Sequence, residues 1–455
     1  MGKSSAKVGH NWLIDVLKFA SMALSVIGHA IAACWGVGAQ AEGYTSPTYF
    51  QLGIPGNGYF LISPAWYGVN GYYSIIEFFI LTTAFYFYNS YKKQQKSGLL
   101  KPERTMKLTV NYFGKSLSQY WPLIFIAITI TLLNIIISIP ATWKPNGILG
   151  IWAMFRNALP FMLGFSALGW THSEMSAGIS SFAYRYFFNP ETGEVINGAM
   201  TKINLSGNLW FISALMVFGV IWYFVFLKSE TFGLFVWIPL NVGIFLNTFG
   251  FADGMNRLTQ YIGISTEYWR IFGSFGWGIV LWHIVDYIKK NCTTPKRRRN
   301  LTIFGVLAFA NLILASTQGN GAQFIYMLCL MAVLAPILSE RGYITPAINK
   351  FIEKIPGHQY VSNVATLLYM YLGATCFWIS RALTEKWGWL QGMRWENQMW
   401  IFLGFEIIWC ILYLLVIDPL IQRPISNKIK QIFRVDETLK EFQAEDSALA
   451  GQTAK

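Results

Sequence analysis

Three ionisable side chains interrupt the apolar stretch that begins at Trp12 of this 455-residue chain: Asp15, Lys18 and His29. The eleven-residue step from Lys18 to His29 brings both to within about 20° of the same helix face, about 16 Å apart along the axis. Ser25 lies on that face too, and Asp15 lies close to Lys18. An ammonium group binds anions and an imidazole accepts a proton from a hydroxyl group, so this stripe is a candidate acid–base site.

The same stripe also has a purely structural interpretation. Lys18 could extend towards the membrane surface and pair with Asp15, while His29 bonds to a neighbouring helix. The sequence leaves both interpretations open. In either case charged groups are costly in lipid, so the stripe must face the bundle interior or a water-filled cavity.

Glu77 is an ionisable residue inside the second apolar segment. A buried carboxylate requires a partner, so we expect Glu77 to orient His29 or to pair with a cation. Glu406 and His283 are weaker candidates of the same kind. The five cysteines show no metal-ligand spacing such as Cys-x-x-Cys, and no metal site is predicted.

Composition places these residues in a membrane protein. The chain is 54% hydrophobic and only 13% charged, whereas soluble domains contain about 45–50% apolar and about 25% charged residues. Its 19 tryptophans suit repeated membrane interfaces. The sequence therefore predicts an all-α, polytopic membrane protein. We expect about ten transmembrane helices, at 12–34, 71–91, 117–139, 208–228, 232–250, 268–288, 301–317, 322–339, 361–382 and 397–417.

The positive charges orient these spans. With ten spans and a cytoplasmic N-terminus, 25 of the 35 lysines and arginines fall on the cytoplasmic side, as the positive-inside rule requires. We therefore expect a multi-pass protein of the cell (inner) membrane with both termini in the cytoplasm. Segment 149–170 is predicted to be interfacial or re-entrant. The run Arg297–Arg299 indicates contact with anionic lipid and not with nucleic acid.

The predicted domains are a cytoplasmic N-terminus (1–11), a transmembrane domain (12–420) and a polar cytoplasmic tail (421–455), of which 433–455 is expected to be disordered. A cleaved lipoprotein signal ending at Cys34 is the alternative for the N-terminus. Such a signal usually has an apolar core of about 7–15 residues. The apolar stretch here is longer and carries charges.

The Asp-x-x-Lys motif at Asp15 and Lys18, followed by His29, resembles the first-helix signature of the membrane-bound acyltransferase-3 family. Further elements are similar and occur in the same order: Phe78-Phe79, Lys115 with Pro122, Gly207 to Leu215 with Trp210, and Asp418-Pro419. Arginines that the family places before the proline are absent here, and Lys115 is the basic residue at that point.

The resemblance implies an enzyme that moves an acyl group, foremost acetyl, from cytoplasmic acyl-CoA to a hydroxyl of an extracytoplasmic or lipid-linked glycan. His29 would act as the general base or accept the acyl group, and Glu77 would set its tautomer. The other residues that we assign to the donor or substrate are Lys18, Asp15, Lys115, Trp210 and Ser25. The basic loop 92–116 would attract the phosphates of the donor.

Two other functions fit the same features. A transporter or flippase of a lipid-linked sugar would use the polar stripe as its conduction path. A non-catalytic member of a glycan-assembly complex would tolerate the missing arginines.

Overall fold

The structure, a computed structural model, describes residues 10–23, 72–138, 209–246, 260–261, 264–317, 323–361, 364, 393 and 395–453. Nearly all of these residues are helical, which confirms the predicted all-α class. One short antiparallel pair, β1 (Gln260–Tyr261) with β2 (Ile264–Ser265), precedes α6. The helices are α1 (12–23), α2 (Tyr72–Lys96), α3 (Thr105–Ser138), α4 (Leu209–Lys228), α5 (Glu230–Phe245), α6 (Thr266–Asn291), α7 (Pro295–Thr317), α8 (Gln323–Ser339), α9 (Ile344–Ile352), α10 (Trp395–Leu412), α11 (Arg423–Ile432) and α12 (Val435–Thr453).

Two of the described helices are long and apolar enough to cross a membrane, Trp269–Asn291 and Leu403–Ile432. The second runs from α10 through a π-helical stretch into α11. Leu415 and Leu420 on it are 72% and 70% exposed, a surface that is stable against lipid and costly in water. Ile325–Ser339 and Ile344–Ile352 would make a third span, bent by 66°. These features indicate association with a membrane.

The central core is formed where α1, α2, α6 and α8 meet. Ile14, Leu81, Leu281 and Met327, one from each helix, are completely buried in one apolar cluster. The long apolar side chains that fill this cluster fix how α1 lies against α2. The candidate residues of the first two apolar segments therefore occupy neighbouring helices.

Helices α2 and α6 run parallel and in close contact. Positions 77, 84 and 88 of α2 meet positions 270, 278 and 282 of α6 in the same order. A Cβ atom on Gly278 would lie 2.5 Å from Ala84 Cβ and 2.7 Å from the Leu81 carbonyl oxygen, so only glycine permits this approach. Parallel α2 and α6 agree with the predicted order of spans.

The turns between helices gather at one end of the bundle, which we call the basic end. It is formed by residues 10–12, 97–104, 229, 292–294 and 340–343. Three contacts join these turns: Lys92 Nζ to Glu230 Oε1 (2.6 Å), Arg298 Nε to Arg341 O (2.9 Å) and Asn11 Nδ2 to Ile337 O (2.8 Å). Because α1 begins where α2 ends, the two helices are antiparallel.

The start of α1 is held by a distant helix. The first amide groups of a helix lack partners within it, and here Leu13 N donates to Asn349 Oδ1 of α9 at 2.8 Å. Asn349 Nδ2 also lies 3.4 Å from Asn11 Oδ1. The first turn of α1 is thereby capped by a side chain 336 residues further along the chain.

The expectation that residues 433–455 are disordered is wrong, because α12 is a helix packed on α3. Val435 and Phe442, seven residues apart on one face, are 4% and 2% exposed. Asn111 Nδ2 donates to Val435 O at 2.6 Å. A Cβ atom on Gly114 would overlap the Phe433 side chain. The sequence of α12 is mostly polar, and its apolar face contains too few residues to be recognised from composition.

Charged pairs fix the far end of α12. The buried guanidinium of Arg104 donates to both carboxylate oxygens of Asp446 at 2.9 Å and to Glu445 at 2.8 Å. Lys101 Nζ reaches Asp446 at 2.6 Å, and the Phe442 ring lies 4.4 Å from Arg104 Cζ. The acidic tail therefore neutralises two basic residues of the loop that follows α2.

We expect Asp446→Asn to release α12, with its amides exchanging about tenfold faster or more, because hydrogen bonds to charged groups are the strong ones. Hydrogen bonds from Arg104 and then Lys101 lower the pKa of Asp446 from 3.8 to about 2. The docked helix should hence keep its protection from neutral pH to about pH 4 and lose it as the pH falls towards 2. Hydrogen exchange read by mass spectrometry measures both effects. Glu437→Gln is the control that should change little, because Glu437 of α12 only forms an exposed pair with Arg434, the residue before the helix.

Candidate functional site

The buried face of α1 carries two of the predicted site residues. Asp15 and Met22, seven residues apart on one face, are 7% and 2% exposed, whereas Ala20 on the opposite side of the helix is exposed. Lys18 lies at the edge of the buried face, with its side chain 22% exposed. The polar stripe of α1 thus faces the helix bundle over the part that the structure describes. His29 and Ser25 lie outside the described residues.

The Asp15 carboxylate has one close partner and one distant one. His10 Nε2 donates to Oδ2 at 2.6 Å, and Lys18 Nζ lies 3.9 Å from Oδ1. His10, Asp15 and Lys18 form what we call the α1 cluster. It lies towards the basic end of the bundle. His10 precedes the apolar stretch and was missed in the sequence because nothing in its spacing singles it out.

The Lys18 ammonium group has few interactions of its own. It lies 5.5 Å from the centre of the Tyr86 ring of α2, within the range of a cation–π contact. Among the residues that the structure describes, it makes no hydrogen bond, and Asp15 Oδ1 at 3.9 Å is beyond hydrogen-bond range. A lysine side chain has three donors, and those of Lys18 can serve an anionic ligand.

Glu77 pairs with a cation, one of the two roles that the sequence left open for it. Arg270 of α6 donates from Nε to Oε1 and from Nη2 to Oε2, both at 2.5 Å. The two side chains are only 6% and 1% exposed, so this is a bidentate, buried ion pair between two parallel helices. Arg270 is a site residue that sequence reasoning missed, because it lies near one end of the predicted span 268–288, where a basic residue needs no buried partner.

The α1 cluster and the buried Glu77–Arg270 pair lie at different levels along the axis of α2. Tyr86, beside Lys18, lies nine residues beyond Glu77 on α2, which corresponds to about 13.5 Å along the helix. The α1 cluster therefore lies about 13.5 Å nearer to the basic end than the buried ion pair.

Of the other predicted site residues, Lys115 is not part of this arrangement. Lys115 is exposed on α3, which packs against α4, α11 and α12, whereas Lys18 packs against α2. Trp210 belongs to α4, and its side chain lies outside the described residues. The structure therefore does not bring Lys115 to Lys18.

Several charges of the basic loop 92–116 already have acidic partners. Lys92 pairs with Glu230, and Lys101 and Arg104 pair with α12. The exposed lysines of this loop are Lys93, Lys96, Lys107 and Lys115. An anionic ligand that is attracted to this segment would therefore interact with these four lysines.

No protein-family model, curated protein or solved structure matches this chain. The resemblance to the acyltransferase-3 family therefore rests on the motif residues alone.

Proposed function

We propose that this protein is an integral membrane O-acyltransferase of the acyltransferase-3 type. It moves an acyl group, foremost acetyl, from acyl-CoA on the cytoplasmic side to a hydroxyl of an extracytoplasmic or lipid-linked glycan. The chain crosses the cell membrane about ten times, and the basic end faces the cytoplasm. The parallel course of α2 and α6, together with both described chain ends at the basic end, supports this topology.

One observation carries the proposal, the Lys18 ammonium group on the inner face of α1. A cation inside a membrane bundle, with no hydrogen bond to any residue that the structure describes, suits a negatively charged ligand. Phosphate groups of acyl-CoA that arrive from the cytoplasm supply that charge. The thioester end then extends along α1 towards His29 through the flexible arm of the donor.

At His29 the reaction is a simple acyl transfer. The glycan hydroxyl loses its proton to the imidazole and forms a C–O bond with the acyl carbon. The C–S bond of the thioester breaks, and the leaving thiolate of CoA takes up the proton. A helical continuation of α1 would carry His29 to about the level of the buried Glu77–Arg270 pair. That pair joins α2 and α6.

The test uses purified full-length protein in detergent with radiolabelled acetyl-CoA. We expect acyl transfer or hydrolysis by the wild type, and for Lys18→Gln a KM for the donor that is about 10- to 150-fold higher, the value of one hydrogen bond between charged groups. Lys18→Arg keeps the charge and should keep most of the affinity.

Two results would count against the enzyme. An unchanged KM in Lys18→Gln would remove Lys18 from donor binding. Uptake of a lipid-linked sugar into sealed vesicles without any donor, and no turnover of acyl-CoA in detergent, would favour a transporter instead.

A further inference from the structure

Asp15 lies between two groups that can carry positive charge, and it binds them unequally. The contact with His10 is 2.6 Å and that with Lys18 is 3.9 Å. Short charge-assisted hydrogen bonds are the stronger ones, so His10 is the principal partner of this carboxylate. Lys18, three residues from Asp15 on the same helix face, is well placed for a closer pair but does not form it.

Packing at the basic end holds His10 in this position. The ring of Trp12 lies 4.2 Å from that of His10 and 4.3 Å from that of His358. The neighbouring residue, Asn11, donates to the Ile337 carbonyl at the end of α8. The imidazole is therefore held by Trp12, and Trp12 and Asn11 are in turn held by elements that come more than 300 residues later.

Other charged groups around the α1 cluster leave this arrangement in place. Glu340, in the turn after α8, interacts electrostatically with His10 and with Lys289 of α6. Burial raises the pKa of Glu340, so its negative charge is less favoured there. Asp15 is the carboxylate that Lys18 meets in the described part of the cluster.

We infer that His10 is a positioning residue for donor binding: by engaging Asp15, it leaves the Lys18 ammonium available to the phosphate groups of a nucleotide-linked thioester. This inference rests on the proposed function. Without His10, Asp15 would rotate towards Lys18 and form a close ion pair. The donor would then have to displace a carboxylate from the cation that it binds.

The central test is His10→Ala in the full-length protein. We expect the KM for acetyl-CoA to rise about tenfold, the value of one charged hydrogen bond, with kcat unchanged. His10→Gln, whose amide can still donate to Asp15, should restore much of the affinity. His10→Ala with Asp15→Asn should also restore it, since the competing carboxylate is gone. His283→Ala is the control and should leave the KM unchanged, because His283 packs beside Tyr88 and Trp282 and not beside Asp15.

A second measurement needs no enzymatic activity. The rate at which Lys18 reacts with acetic anhydride, read by mass spectrometry, should fall in His10→Ala, because a close carboxylate keeps the amine protonated. It should return to the wild-type rate when Asp15→Asn is added. Equal labelling of Lys18 with and without His10 would overturn the inference. An inactive wild type that still shows this labelling pattern would overturn the proposed function and leave the role of His10 intact.

Discussion

Replacing Glu77 by leucine lowers the free energy of unfolding by about 3–5 kcal/mol, because the substitution leaves the buried guanidinium of Arg270 without its carboxylate. Arg270 is 1% exposed and gives two hydrogen bonds to Glu77. The loss is measured as the shift in thermal unfolding of the detergent-solubilised protein.

A double variant and a surface variant complete this test. Glu77→Leu with Arg270→Met replaces both charges by apolar groups and should recover most of the lost stability, since a buried pair exchanged as a whole is often neutral. Lys290→Gln breaks a pair with Asp286 in which the lysine side chain is 72% exposed, and should cost less than about 1 kcal/mol. The two residues would act independently if the double variant lost as much stability as Glu77→Leu and Arg270→Met lose separately, added together.

We expect His29→Ala to reduce the proposed acyl transfer by about 10²- to 10⁴-fold, the usual contribution of a general base. Lys18 lies beside Tyr86, and α1 runs antiparallel to α2. A helical continuation of α1 would carry His29 about 16 Å beyond Lys18, towards the end of α2 that lies away from the basic end. In the proposed topology a glycan hydroxyl arrives at that end from the outer side.

The kinetic pattern distinguishes His29 from the donor-binding residues. His29→Ala should lower kcat and leave the KM for acetyl-CoA near its wild-type value, whereas Lys18→Gln should raise that KM. The control is His283→Ala, because His283 packs beside Tyr88 and Trp282 towards the basic end. Full transfer by the His29 variant would remove the histidine from the reaction.

The sequence predicts those features that depend on the residues within a single helix. The burial of Asp15 follows from the 3.6-residue period of α1, and the need of Glu77 for a partner follows from the cost of a charge in an apolar segment. Composition alone also identified the membrane class. These features depend on residues close in the chain or on their overall proportions.

What escaped prediction depends on contacts between distant segments. Arg270 lies 193 residues from Glu77, and no periodicity links the two. His10 is held through its neighbours Asn11 and Trp12, which contact α8 and the residues after α9. The docking of α12 depends on Arg104, in the loop after α2, and on Asn111 of α3, because its own polar composition favours disorder.

The cap that Asn349 places on α1 can form only late in the synthesis of the chain. A ribosome that adds about 5–20 residues per second needs roughly 20–70 s to bring residue 349 out after residue 13. During that time the first turn of α1 has neither its cap nor the Ile337 contact of Asn11. The first described helix of the chain is therefore among the last to be fixed. A chain interrupted before residue 337 would contain α1 but lack the contacts of Asn11 and Leu13 that hold its start.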